Sequence, residues 1–231
     1  LKNFALIGDV HSHDERLSQA LSYCRNYELI PILLGDLFDS RCEVSESVKV
    51  YELAREAEQT MNAVILQSNH QNKLIRYLKG NKVVLNHGLD KTVEDFSNSS
   101  VDLNDLQRWL QSLPYGIVFR DKHSSEYRCA HAYFSSRIEI PEYDEYYLVN
   151  SEHIDNKIKN VMIYGPVNSD GRICWWKGDR KYNYKMVSGH YHTIFLSEQY
   201  IVLDGQSGSE DNEDPFLPLY DVNKKILKKF F

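Results

Sequence analysis

The chain has 231 residues, 42% apolar and 26% charged, ordinary values for a globular protein with a real core. Its net charge of −6 gives no bulk attraction to nucleic acid, so long nucleic acid is disfavoured and an anionic substrate must be held by metals or a few placed cations. Cys24, Cys42, Cys129 and Cys174 make no CxxC pair, which points to a reduced, cytoplasmic setting rather than a disulfide framework.

No run reaches bilayer length and no leader pattern is visible, so no membrane partner is expected. The sequence opens at Leu1 rather than Met, as expected of numbering that begins inside a longer chain. "KNFALIG" (2–8) reads as a short buried strand closing on Gly8–Asp9. Residues 14–27 read as a helix, with Leu17, Ala20, Leu21 and Cys24 at helical spacing. "LIPILL" (29–34) is a second apolar run, ending at Gly35–Asp36, and 43–60 is a polar-faced helix. "AVILQ" (63–67) is a third strand, 71–80 a helix and "KVVLN" (82–86) a fourth strand. Strand and helix alternate three times, which predicts a mostly parallel sheet covered by helices, with ligands beyond the carboxyl ends of its strands.

Residues 88–115 read as polar helix forming a cap or insert, and 135–160, rich in tyrosine and acid, as an inserted loop and helix. "IVFRD" (117–121) and "YRCAHAYF" (127–134) read as a strand pair. "KMVSGHYHTIF", "QYIVLDGQSG" and "FLPLYDV" are short strands, and "KKILKKFF" is the last strand. The whole, 1–231, is read as one α/β domain.

Five segments combine carboxylates, imidazoles and an amide: "GDVHSH" (8–13), "GDLFDSR" (35–41), "SNHQNK" (68–73), "AHAYF" (130–134) and "SGHYHT" (188–193). Each follows a strand-like run, so their side chains can converge. Singly, each has a plain structural reading. Asp9 could cap a helix, Asp36 and Asn69 could be turn residues, and His131 could be a satisfied core histidine. Together they make a mixed oxygen and imidazole set suited to a divalent metal such as manganese, zinc or iron(II). Two metals would need one bridging carboxylate, which this set can supply.

The order GDxH, GDxxD, NH, H, GHxH resembles the calcineurin-like metallophosphoesterases from Gly8 to about Gly208. "SNHQNKLIRYLKGNKV", "HGLDKT" and "YGPVNSDGRICWWK" resemble the phosphatase domain of bacterial polynucleotide kinase-phosphatase and the diadenosine-tetraphosphatase-like branch. The resemblance implies a four-layer α/β/β/α sandwich holding two divalent ions, manganese first, with iron, zinc or nickel as alternatives. It implies Asp9, His11 and His192 on the first metal, Asp36 bridging, and Asn69, His131 and His190 on the second. It implies His70 as the imidazole at the leaving group, Asp39 orienting it, and Arg41 gripping phosphate. The implied reaction is hydrolysis of a phosphomonoester, phosphodiester or nucleotide phosphoanhydride by metal-activated water. The substrate is then a phosphorylated small molecule, a nucleotide or a phosphoprotein. A Ser/Thr protein phosphatase with the same centre and a degenerate metal-binding module are the rival readings. The chain departs from the family in having Ser68 before Asn-His, Ser40 after Asp39 with Arg41 one place later, and two histidines in "GHYH". His13 reads as a supporting group, and His87 as packing under the site. Lys73 and Arg76 read as a phosphate-facing edge or a solvated helix face. Trp175, Trp176, Tyr182 and Tyr184 read as base-stacking residues or sheet-surface pairs.

Overall fold

The computed structural model describes residues 2–42, 45–167, 182–207 and 215–231. Cys174, Trp175 and Trp176 lie outside the described residues. In chain order the elements are β1 (Phe4–Ile7), α1 (Asp14–Asn26), β2 (Ile30–Leu33), α2 (Ser47–Met61), β3 (Val64–Ile65), α3 (Asn69–Leu78), α4 (Leu89–Ser97) and α5 (Leu103–Ser112). There follow β4 (Gly116–Arg120), β5 (Glu126–Ala130), β6 (Tyr146–Val149), α6 (Asn156–Tyr164), β7 (Lys185–Ser188), β8 (Ile194–Leu196), β9 (Tyr200–Leu203), β10 (Leu217–Asp221) and β11 (Ile226–Phe230).

The strands form two sheets, ordered β11-β10-β1-β2-β3 and β6-β4-β5-β7-β9-β8. β1, β2 and β3 run parallel in the first, and β5, β7 and β9 run parallel in the second; the flanking strands are antiparallel. Period-two alternation along each strand builds the layers. From β1, Ala5 and Ile7 enter a core shared with Leu17, Leu21, Val50, Ala54, Phe96 and Leu110 of the helices. Phe4 and Leu6, on its other face, meet Ile117, Phe119, Tyr127 and Val187 of the second sheet. Beyond that sheet, Val118, Ala130 and Met186 pack under Met162 and Ile163 of α6. The chain is thus an α/β/β/α sandwich, as the motif order implied. Burying both faces of each sheet explains why the parallel strands are short apolar runs.

Residues 88–115 supply α4 and α5, which share the first core through Leu89, Phe96, Leu106 and Trp109. Residues 135–160 supply β6, at the edge of the second sheet, and the start of α6. One strand expectation fails: 82–86 is not a strand. Sheet pairing ends at β3, and Val84 and Leu85 are 69% and 45% exposed, so the apolar run has no neighbour to bond to. The segment is fastened instead by Lys73, whose ammonium donates to the Asn86 carbonyl at 3.1 Å and to its side-chain oxygen.

Candidate metal centre

The residues that follow the six parallel strands come together. Asp9 follows β1, Asp36 follows β2, and Asn69 and His70 follow β3; His131 follows β5, His190 follows β7 and Asp204 follows β9. Asp36 lies at the middle. Its Oδ2 is 3.8 Å from His11 Nε2, 3.4 Å from His131 Nε2 and 4.0 Å from His70 Nε2. Two groups of ligand-type atoms share it: Asp9, His11 and Asp36 make one, and Asp36, His131 and His190 the other.

The ring orientations follow from the backbone. His11 Nδ1 faces the carbonyls of Phe38 (3.2 Å) and Asp39 (3.1 Å), and His131 Nδ1 faces that of Leu34 (3.0 Å). A carbonyl only accepts, so in each ring Nδ1 carries the proton and Nε2 turns a lone pair inward. His131 Nε2 then meets Asn69 Oδ1 at 2.8 Å and His190 Nδ1 at 3.2 Å. His131 Nε2, Asn69 Oδ1 and the Asp36 carboxylate thus offer lone pairs to one point, where a cation would satisfy them. Asp9 Oδ1, Asp36 Oδ1 and Asp39 Oδ1 are buried with no hydrogen-bond partner among the described residues, which makes the same point.

The electrostatics agree. Burial, then the charges of Asp204 and Asp36, push the Asp9 carboxyl well above its usual range. Burial, then His131, lowers His190 to about 3, and burial lowers His11, so both rings are neutral at neutral pH and offer lone pairs. Asp36 goes the other way. Burial would raise it, but His131 and His70 outweigh burial and hold it well below the carboxylate range. For His70, burial works downward, yet Asp36 and the 2.7 Å bond from Nδ1 to Asp39 Oδ2 lift it to about 9. The residues present therefore fit a pair of divalent ions sharing Asp36.

Backbone strain marks the same place. His11, Asp36, Asp39, His190 and His192 all have left-handed φ, between 43° and 69°, a region uncommon for residues other than glycine. The turns are cramped as well as strained. A Cβ on Gly35, itself at φ 115°, would sit 2.9 Å from His131 Nδ1.

His11, Asp39, Arg41, Asn69, His70, His87, His192, Asp204 and Gln206 line a cavity of about 260 Å³ over these atoms. His192 is on this wall, but its ring nitrogens lie outside both ligand groups; its N–H donates to Asp204 Oδ2 at 2.6 Å. Arg41 reaches the cavity rim despite its one-residue offset, and its guanidinium bonds His87 Nδ1. His87 is therefore exposed at the rim, not packed beneath the site. Ser68 has an extended backbone (φ −139°) and caps α3 by accepting from the Gln71 N–H, so no glycine is needed there. His13 packs against Arg16 and the Ser207 backbone, and burial lowers it to about 4. Tyr182 and Tyr184 stack at 4.8 Å in the outer core of the second sheet, away from the cavity.

Sequence reasoning passed over Asp204 and Gln206. The signal for Asp204 was present in "YIVLDG", another apolar run closing on Asp-Gly like those before Asp9 and Asp36.

Among solved structures, the fold is similar to a "putative diadenosine tetraphosphatase" (TM-score 0.62, 15% identity, 99% of this chain and 92% of that one). It is also similar to a cold-active protein-tyrosine phosphatase of a Shewanella species (0.59, 14%, 100% and 81%). A third likeness is to a metallophosphoesterase from Sphaerobacter thermophilus (0.50, 13%, 99% and 87%). The fold is that of the metallophosphoesterases among these neighbours. Curated relatives similar in sequence include asymmetrical bis(5'-nucleosyl)-tetraphosphatases PrpE. That of Oceanobacillus iheyensis is 25% identical over 177 residues, covering 71% of this chain and 65% of that protein. That of Bacillus subtilis is 26% identical over 205 residues, covering 81% and 78%. The chain thus spans just under two thirds of the first of these. No family model matches the chain. No helix among the described residues is long and apolar enough to cross a membrane.

Proposed function

We propose that this chain is a two-metal phosphoesterase acting on a nucleotide phosphoanhydride of the dinucleoside polyphosphate kind. The observation that carries this reading is the position of Asp36, shared by two ligand groups of complementary chemistry. The tetraphosphatase names of the curated relatives support the nucleotide class. Phosphomonoesters and phosphodiesters would be served by the same centre. The protein phosphatases among the fold neighbours share 14% identity, which supports only the fold.

Asp9, His11 and Asp36 would hold one ion, and Asp36, Asn69, His131 and His190 the other; His192, on the cavity wall but outside both groups, would reach the first ion only by a turn of its side chain. Two divalent ions bound there, with manganese well matched to the mixed donors, would offset phosphate charge and acidify the attacking water. The remaining work falls to the side chains. His70, held by Asp39 at 2.7 Å through Nδ1, turns Nε2 toward the departing oxygen and serves as its proton donor. Asp39 fixes the ring so that Nε2, not Nδ1, faces the cavity. Arg41 supplies a planar pair of donors for a non-bridging phosphate oxygen at the rim. Asp204 anchors the loop bearing His190 and His192 through the His192 N–H.

The test is hydrolysis of diadenosine tetraphosphate, p-nitrophenyl phosphate and a phosphopeptide with manganese, each with and without chelator. The expected result is metal-dependent turnover, highest on the dinucleotide. Absence of metal-dependent turnover on any ester would favour a binding module instead. Preference for the phosphopeptide would favour a protein phosphatase.

A further inference from the structure

A second cavity, of about 360 Å³, opens beside the first. Asn69, His70 and His87 line both, so the two are continuous across the imidazole that faces the leaving group. Lys73, Arg76, Lys82, Val83, Val84 and Tyr164 complete the second. Its size falls in the roughly 300–1,000 Å³ range of small-molecule sites.

The lining follows from one helix. Asn69, Lys73 and Arg76 are spaced i, i+4, i+7 and share one face of α3. That stripe starts at the metal centre and runs about 10 Å along the helix axis. Lys82 adds a third cation from the irregular segment after α3. None of the three has a carboxylate within ion-pairing distance among the described residues, in a chain whose net charge is −6. Unpaired cations gathered in an acidic protein call for an anion. Beyond them, Tyr164 and the exposed Val84 present an apolar surface, which fits the flat face of a base.

We infer that this groove binds the leaving portion of the substrate: a chain of phosphates along Lys73, Arg76 and Lys82, ending in a nucleoside against Tyr164 and Val84. The inference rests on the hydrolase reading of the adjoining site, and it adds the determinant of substrate class. It also gives the exposed 82–86 run a purpose, since that segment forms the groove's outer wall. A substrate with one phosphate and a small leaving group never reaches the groove.

The test uses the Arg76→Ala/Lys82→Ala double variant, because Lys73 also fastens Asn86. Titration calorimetry with diadenosine tetraphosphate in chelator reads the groove without turnover. The wild-type chain is expected to bind the probe. The double variant is expected to bind at least about ten-fold more weakly, the scale of losing charge-assisted contacts. Manganese-dependent p-nitrophenyl phosphate turnover should stay at the wild-type value. Lys79→Ala removes an exposed cation at the C-cap of α3, outside the groove, and should leave binding unchanged. Undiminished affinity in the double variant, no binding by the wild type, or equal weakening by Lys79→Ala would each overturn the inference. Failure of the hydrolase reading looks different: the wild type would bind the probe and, with manganese, leave it uncleaved, with no mononucleotide product.

Discussion

Replacing Gly189 by alanine adds a single methyl group, yet it should cripple the centre while sparing the fold. Gly189 is not in the left-handed region, so alanine can adopt its backbone. Where the conformation is compatible, Gly→Ala stabilises by about 0.4–1 kcal/mol through the unfolded chain. The obstacle is local. The new Cβ would lie 2.9 Å from the Asp9 carboxyl carbon and 3.3 Å from Oδ2, and nearer still to Oδ1. The neighbour on the other side gives no relief, because the His190 N–H is bonded to Asp9 Oδ2 at 2.9 Å. The carboxylate or the His190 loop must therefore move by about 1 Å, and a misplacement of that size can cost about 100-fold in rate. The assay is manganese-dependent p-nitrophenyl phosphate turnover together with manganese titration and a thermal melt. We expect kcat/KM down by about 100-fold, weakened metal affinity and an unchanged melting temperature. Wild-type turnover and metal affinity in Gly189→Ala would refute the claim that Asp9 acts from its observed position.

Other perturbations separate the roles at the site. Asp36→Ala should lose both ions and all turnover; retention of two ions per chain by metal analysis would refute the shared position of that carboxylate. His70→Ala should keep its metal content and lose turnover by about 100- to 10,000-fold, the usual weight of a general acid. A fall in bound metal alongside turnover would make His70 a ligand instead. Ser68→Ala removes the cap of α3 and should cost about 1 kcal/mol. For a chain of this size that is about 2–4 °C in melting temperature. Ser68→Gly, which glycine's backbone tolerates at a cap, should cost only a few tenths of a kcal/mol; an unchanged melting temperature in Ser68→Ala would show that the hydroxyl does not hold the helix end.

Local pattern carried much of this. The apolar runs of β1 and β2, and the helical spacing of Leu17, Ala20, Leu21 and Cys24, are properties of adjacent residues and were legible as such. The Gly-Asp endings were legible too, because a strand must be broken before a carboxylate can stand clear of it. The 82–86 run misled, since alternation cannot say whether a sheet still has an edge to offer. Asp204 was overlooked because one aspartate at one turn is common, and only its neighbours make it part of a site. His87 shows the same limit: a histidine before a glycine has no readable direction until α3 and the loop after β2 are placed.

Residue chemistry by itself determined which groups could serve a metal and that they follow strands, because ligand type and strand period are written locally. Tertiary structure alone decided that six parallel strands from two sheets aim those groups at one carboxylate, and that Lys73 and Arg76 of α3, with Lys82 after it, line an adjoining cavity. Convergence depends on distances between segments remote in sequence, such as Asp9 and His190, 181 residues apart, and only the packing of one sheet on the other sets them.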